Sequence, residues 1–408
     1  MTLAPVHSFP MDAADTHTSA DSTGSAADRR PRPRAVVLAG GGTGGHIAPG
    51  LAIAERLRAI DPTIRIVFAC SARPIDAVML RDAEAEHRPI RAEGFSVHPR
   101  KFLRFLAGLM RARADARKLL AEIRPDWVVS LGGFVTPPVV AEAQRAAIPV
   151  LLVNLDATPG RANRWVQKRA TTTVSAVAVP RIPGFAEAVI GMPIRRIAIA
   201  PASAELCRAE LGLDPKSPVL LITGASQGSQ SLNDLALALA RRHGAAMRDW
   251  QVLHLCGGSP AGGVARYERG WREAGVRAAV LPFVHRMGVA WGAAELALSR
   301  AGASSVAEAQ ANRVPTVFAP YPYHRDMHQR ENAMPLVEAG AALVETDLID
   351  PERNMDGLGA RVLELMASAG RRMELRQALA KTPPPDSAER IADFLVSGRG
   401  FTRTVALA

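Results

Sequence analysis

Apolar and polar positions along this chain fall into two successive series of strand and helix patterns. The first begins abruptly at Arg34, where Ala35-Val36-Val37-Leu38-Ala39 is a short uninterrupted apolar run closed by glycines. Such a run suits a strand buried on both faces of a parallel sheet. Apolar residues then recur at helical spacing over 47–60, which predicts a helix with Pro49 in its first turn, where a missing N–H costs little. Strand-like runs at 64–69, 127–131 and 149–154 alternate with helical stretches at 104–123 and 139–146, the rhythm of a doubly wound parallel sheet. The rhythm pauses near Gly191-Met192-Pro193-Ile194-Arg195 and restarts with Pro218-Val219-Leu220-Leu221-Ile222-Thr223-Gly224.

The expected architecture is therefore α/β, with two Rossmann-like parallel-sheet domains facing one another across a cleft. The expected divisions are a disordered tail at 1–33, a first domain at 34–195, a second at 196–375, and a helical segment at 376–408 packing back on the first domain. Ligands of such sheets bind at the carboxyl ends of the strands, so the cleft is where chemistry is sought.

Composition adds exclusions. The chain has 408 residues with 48% hydrophobic and 22% charged content, enough to bury large cores without staples. Cys70, Cys207 and Cys256 are scattered without metal-like or disulfide-like spacing, so a reducing compartment is the economical reading. No apolar run approaches the roughly 20 residues of a spanning helix. The first 33 residues lack the apolar stretch of a secretory signal and are too polar to fold alone. A net charge of +11 invites nucleic acid, an anionic membrane or a phosphorylated ligand as partner.

The glycine loops narrow that choice. Gly40-Gly41-Gly42-Thr43-Gly44-Gly45-His46 puts five glycines between a strand and a helix, so backbone N–H groups and a helix N-terminus can meet an anionic ligand directly. A dinucleotide fingerprint fits poorly, because the second strand ends in Ala69-Cys70-Ser71 without an acidic residue. His46, with an ordinary pKa near 6.5, reads as a general base, a phosphate partner or a loop cap. Gly224-Ala225-Ser226-Gln227-Gly228-Ser229-Gln230 repeats the strand-loop-helix arrangement with side chains suited to pyrophosphate oxygens. A further helix N-terminus follows a strand at 295–299. There Glu308 has two readings: half of a Ser305-x-x-Glu308 capping box, or a carboxylate that accepts ribose hydroxyls. The polar run from Tyr321 to Ala333 reads as a long functional loop after a strand at 314–319, with His328 and Gln329 its weakly indicated members.

These motifs together resemble a known family. Gly41 to Gly50, Leu131-Gly132-Gly133-Phe134, Gly191 to Arg195, Ser226-Gln227-Gly228, Arg300 to Glu308 and His324 to Ala333 occur in the order of the MurG-type transferases, two-domain GT-B enzymes of glycosyltransferase family 28. The resemblance covers roughly residues 34–400. It implies an inverting transfer of GlcNAc from UDP-GlcNAc to the 4-hydroxyl of MurNAc-(pentapeptide)-pyrophosphoryl-undecaprenol, in peptidoglycan synthesis, by a peripheral protein on the cytoplasmic face of the membrane. It places His46 as the catalytic histidine, Thr43, Gly44 and Gly45 closing over both substrates, and Asp156 in the substrate site. Arg195 then reaches the nucleotide from the hinge and Ser226 the diphosphate. Val284 with Ala303, Ser304, Ser305, Val306, Ala307 and Glu308 surrounds uracil and ribose, and Gln329 meets the donor sugar.

The chain departs from that family mostly in its first half. Phe134 stands for the usual Tyr, Thr136-Pro137-Pro138 for Ser-Gly-Pro, and Val153-Asn154-Leu155-Asp156 for His-Glu-Gln-Asn. Two glutamines of the polar run are here His328 and Gln329. The donor side is accordingly better matched than the acceptor side. Two alternatives stay open: a sister GT-B enzyme that passes GlcNAc to another acceptor or epimerises UDP-GlcNAc, and a non-catalytic nucleotide-sugar-binding relative. No Asp-x-Asp occurs, which argues against a metal-chelating site and leaves a loosely held Mg²⁺ open. Between 100 and 124, eight basic residues face two acidic ones, interleaved with Phe102, Leu103, Phe105, Leu106, Leu109 and Met110. The Arg100 to Phe105 end is the better candidate for an anionic membrane surface, whereas 106–120 reads equally as an ordinary amphipathic helix. Nucleic acid is not expected, since the bases belong to no recognisable binding module.

Overall fold

The computed structural model of the chain describes residues 32–42, 44–93, 99–224, 228–258, 263–322, 328–383 and 386–401, with backbone alone for 99–106 and 328. The expectations for 1–31, and for Thr43 and Ser226, lie outside the described residues.

The first half runs β1 (Ala35–Ala39), α1 (Gly44–Ile60), β2 (Arg65–Ser71), α2 (Pro74–Asp82), β3 (His87–Ile90), α3 (Pro99–Ile123), β4 (Trp127–Ser130), α4 (Thr136–Arg145), β5 (Val150–Asn154), α5 (Arg161–Gln167), β6 (Thr172–Ser175) and β7 (Ala188–Val189). The second runs α6 (Ala204–Glu210), β8 (Val219–Thr223), α7 (Gln230–His243), β9 (Gln251–Leu255), α8 (Gly263–Glu273), β10 (Arg277–Leu281), α9 (Met287–Ala293), β11 (Leu296–Ser299), α10 (Ala303–Ala311), β12 (Thr316–Phe318), α11 (His328–Glu338), β13 (Leu343–Val344), α12 (Leu358–Ala367), α13 (Ala369–Lys381) and α14 (Ser387–Ser397). The strands pair in parallel, in the orders β3-β2-β1-β4-β5-β6-β7 and β10-β9-β8-β11-β12-β13. Each order reverses direction at the strand that comes first in the sequence, β1 or β8. The glycine loops leave those two strands, at the switch points where open sheets form crevices.

Burial explains the strand sequences. β1, β4, β5 and β8 are buried at every position, because helices cover both faces of each sheet. Two apolar clusters sandwich the first sheet and two the second. The chain crosses between the halves twice, and both crossings are fastened to α1. At the first, Arg195 Nε donates to Glu55 Oε1 at 2.9 Å, while Asn312, the C-cap of α10, holds the following residues through Ala200 N at 2.7 Å and Ala198 O at 2.9 Å. At the second, α14 lays Ile391, Ala392 and Leu395 into the first half's core, Phe394 packs edge-on against Trp127, and Glu389 pairs with Arg56.

Several expected boundaries move. α1 starts at Gly44 rather than Ile47, so Pro49 lies inside the helix and not in its first turn. The missing N–H would have served the carbonyl of Gly45, which is exposed at the cleft end and can be hydrated instead. The polar run after β12 is not all loop, because His328 to Ala333 form the opening turns of α11. Among the described residues no helix is long and apolar enough to cross a membrane.

Candidate active site

The first glycine loop is organised by a buried carboxylate that the motif does not contain. Asp76, in the first turn of α2, accepts through Oδ2 from Gly42 N at 2.8 Å, Ser71 N at 3.0 Å and Ser71 Oγ at 2.6 Å. No side chain fits between: a Cβ on Gly41 would lie 2.5 Å from that oxygen, and Gly42 has a φ of +92° with Phe134 against it. Arg73 closes the outer edge, donating to Gly42 O at 2.7 Å beneath the Phe134 ring.

His46 stands in the first turn of α1, facing the loop after β4. Its ring packs against Gly132 and Gly133, positions where φ is +103° and +87° and any Cβ would press on the imidazole or on Gly41. Burial pushes its pKa below the ordinary value. The carboxylates of Asp156 and Asp76 and a hydrogen bond with the Gly41 backbone pull part of the way back. The result is a neutral imidazole at pH 7 with negative charge behind it. That combination can accept a proton and hold the resulting cation.

Asp156 follows β5 in a segment ordered by amides. Asn154 Nδ2 donates to the Asp156 carbonyl at 2.7 Å and to Ser175 Oγ at 2.9 Å, and Asn163 Nδ2 donates to Asn154 Oδ1 at 3.0 Å. The second half meets this segment directly. Asn332 of α11 donates to Asp156 Oδ1 at 3.2 Å and accepts from Ala157 N at 3.0 Å. Beside it, Glu331 accepts from Thr158 Oγ1 at 2.7 Å and pairs with Arg181.

On the opposite wall, α10 begins at Ala303 with Gly302 as its N-cap. This removes the capping-box reading of Ser305 and Glu308, because Ser305 already has helical backbone and cannot cap. Glu308 Oε2 instead accepts from Trp291 Nε1 at 2.9 Å, and burial pushes its carboxyl up to about 7. The remaining residues of this turn face different ways. Ala303 and Ala307, with Ala311, form a stripe against the first half's core, whereas Val306 is buried in the second half's own core. Ser304 and Ser305 are half-exposed at the helix start, and Val284 lies half-buried near Met287 after β10. Gln329 Oε1 accepts from Tyr321 N at 2.9 Å, in the same half as Val284 and Glu308. Arg195 is engaged by Glu55 at the crossing, and Gly44 and Gly45 line the loop mouth.

The second glycine loop rests on a buried cation. Arg300, 6% exposed after β11, donates to Ser229 Oγ and Ser231 Oγ at 2.7 Å each and to Ala319 O at 3.0 Å, and pairs with buried Asp347 at 2.8 Å. Ser229 is also the N-cap of α7. The arrangement aims α7 and α10 at one crevice floored by the Arg300–Asp347 pair, and the two helix N-termini suit a diphosphate.

Asp76, Asn332, Trp291 and the structural role of Arg300 were not apparent from sequence patterns. Each acts through partners remote in the chain and carries no local signature. On the first half's outer face, α3 buries Ala112, Ala116, Leu119 and Leu120 and turns Arg113 and Arg117 toward buried Glu142, at 2.7 and 3.0 Å. The described part of α3 is thus an amphipathic helix packed on its sheet. The side chains of Arg100 to Phe105 lie outside the described residues.

The chain matches the glycosyltransferase family 28 N-terminal domain over residues 36–175 and the glycosyltransferase family 28 C-terminal domain over residues 219–391. It is 34% identical over 366 residues to the UDP-N-acetylglucosamine--N-acetylmuramyl-(pentapeptide) pyrophosphoryl-undecaprenol N-acetylglucosamine transferase of Clavibacter michiganensis, covering 88% of this chain and 95% of that protein. It is likewise 34% identical over 384 residues to the transferase of the same name from Acidothermus cellulolyticus, covering 91% and 99%. Its fold is similar to the crystal structure of Acinetobacter baumannii MurG, with a TM-score of 0.65, 24% identity, and coverage of 88% and 98%.

Proposed function

The chain belongs to the family 28 glycosyltransferases, and from that membership we propose that it transfers N-acetylglucosamine from UDP-GlcNAc to the 4-hydroxyl of undecaprenyl-pyrophosphoryl-MurNAc-pentapeptide. The observation that carries the reading is the pairing of two unlike walls across one cleft. One offers a neutral, carboxylate-backed His46 where α1 leaves the glycine loop, and the other Glu308 beside two helix N-termini. Relatives 34% identical over most of their length carry the names of enzymes that join these two substrates.

In the proposed reaction the acceptor 4-hydroxyl oxygen attacks the anomeric carbon, the bond from that carbon to the β-phosphate oxygen breaks, and its electron pair leaves with UDP. His46 takes the hydroxyl proton. Asp156 and Asp76 stabilise the imidazolium that forms. The N-termini of α7 and α10 offset the negative charge that grows on the departing diphosphate, and Arg300 holds Ser229 at the start of α7. Glu308 accepts the ribose hydroxyls, Gln329 meets the donor sugar, and Thr43, Gly44, Gly45, Ser226 and Val284 complete the substrate contacts. Arg195 reaches the nucleotide only after exchanging Glu55 for it. The start of α3 rests on the anionic cytoplasmic surface, where the lipid acceptor lies, so the protein is peripheral to that membrane. Incubation with labelled UDP-GlcNAc and the lipid-linked acceptor tests the assignment, and labelled disaccharide on the lipid is the expected product.

A further inference from the structure

Asn332 belongs by sequence to the donor half, yet both ends of its amide are spent on the acceptor half. The residue is 2% exposed, with its side-chain Nδ2 on Asp156 Oδ1 and its Oδ1 on Ala157 N. Glu331 adds Thr158 and Arg181 of the same half. From Asp156 two hydrogen bonds lead to Asn163, which lies with the imidazole against Gly132. The Asp156 carbonyl is held by Asn154, Asn154 by Asn163, and Asn163 Oδ1 and His46 Cδ2 converge on Gly132, within 3.0 and 3.1 Å of where its Cβ would stand. Gln329, expected at the donor sugar, precedes Asn332 by three residues and so shares its helix face.

We propose that Asn332 is a positioning residue for His46, a latch through which the seating of the donor domain on the acceptor domain sets the catalytic imidazole. The inference rests on the reading of His46 as the base. When the halves part, the Asn332 amide and the Ala157 N–H turn to water, and Asp156 loses its anchor. When they close, a buried amide left unpaired would be costly, so closure and the placement of Asp156 occur together. The charged groups facing His46 are Asp156 from the segment after β5 and Asp76 from α2. Asp76 is held within the first half by Ser71 and Gly42, so Asp156 is the one whose position depends on closure.

The test uses the full-length enzyme with UDP-GlcNAc and lipid-linked acceptor, comparing Asn332→Ala, Asp156→Asn and the double variant. Asn332→Ala is expected to lower kcat on the order of tenfold, to leave the UDP-GlcNAc Kd within about twofold, and to move the acid limb of the kcat profile to lower pH. In the Asp156→Asn background the same substitution is expected to add little, because the charge that the latch places beside His46 is already gone. Asn332→Ser, which keeps a smaller hydrogen-bonding group, serves if the alanine variant unfolds, and partial recovery of kcat supports the latch. A weakened Kd with unchanged kcat makes Asn332 a donor contact and overturns the proposal, as does full additivity in the double variant. Failure of the base assignment has a separate signature: His46→Ala then retains turnover whatever Asn332 does.

Discussion

The indole nitrogen of Trp291 donates to the Glu308 carboxylate at 2.9 Å, a hydrogen bond that opposes the desolvation pushing that carboxyl up to about 7. Near neutrality the empty site therefore holds a mixture of protonated and ionised Glu308. Ribose hydroxyls donate best to the ionised form.

UDP-GlcNAc affinity should consequently rise as pH passes upward through about 7, with a proton released on binding below it. Calorimetric titration in two buffers of different ionisation enthalpy measures that proton. Glu308→Gln should weaken binding on the order of tenfold and flatten the pH dependence. Proton uptake, or an unaltered profile in the variant, would contradict the ribose role.

His254 makes a prediction about stability. Burial pushes its pKa down to about 3, while Nδ1 accepts from Trp271 Nε1 at 3.2 Å and Nε2 lies 3.0 Å from Asn233 Oδ1. A neutral ring that donates to Asn233 satisfies both contacts. Its folded pKa is below the unfolded one, so its contribution is present above about pH 6.5 and is lost progressively as pH falls from there toward 3. Urea unfolding should show that slope, about 1.4 kcal/mol per pH unit for one proton. His254→Leu should remove the slope and cost roughly 2–4 kcal/mol at pH 7.5, since Trp271 and Asn233 lose their partner.

Gly133→Ala should harm activity and stability together. The position has a φ of +87°, and a methyl there runs into the Gly41 carbonyl beside the His46 ring. Left-handed backbone alone costs a non-glycine residue about 1–3 kcal/mol. Thermal unfolding and kcat should both fall, whereas Gly160→Ala, where a Cβ meets nothing within 4 Å, should leave both nearly unchanged.

Binding to vesicles containing phosphatidylglycerol should depend on Arg100, Lys101 and Arg104 more than on Arg113 and Arg117. The latter pair is engaged with buried Glu142. Replacing the first three with Gln should weaken cosedimentation on the order of a hundredfold, at about 1 kcal/mol per base near the surface. Arg113→Gln should chiefly lower stability. Equal effects from both groups would reject this division of α3.

Local chemistry was legible in advance and distant partnership was not. Both glycine loops, the strands before them and His46 were readable because a buried strand needs an apolar run and a close backbone approach needs glycine. Glu308 was readable only as an even choice, and the choice turned on where α10 begins, a cap geometry that Ser305 and Gly302 could equally have supplied. Asp76 and Asn332 looked like ordinary polar residues, since their significance comes from Gly42 and Asp156, brought close only by the fold. The run after β12 read as loop because its polar residues mask a helix start. They are polar for contacts with the other half, as Glu331 and Asn332 demonstrate.

The most direct test measures transfer from labelled UDP-GlcNAc to undecaprenyl-pyrophosphoryl-MurNAc-pentapeptide by the wild type and by His46→Ala side by side. The wild type should yield labelled lipid-linked disaccharide, and the variant should turn over roughly 10²–10⁴-fold more slowly with its UDP-GlcNAc affinity intact, the range expected for loss of a general base. Absence of the disaccharide with the wild type, or undiminished turnover by His46→Ala, would contradict the account.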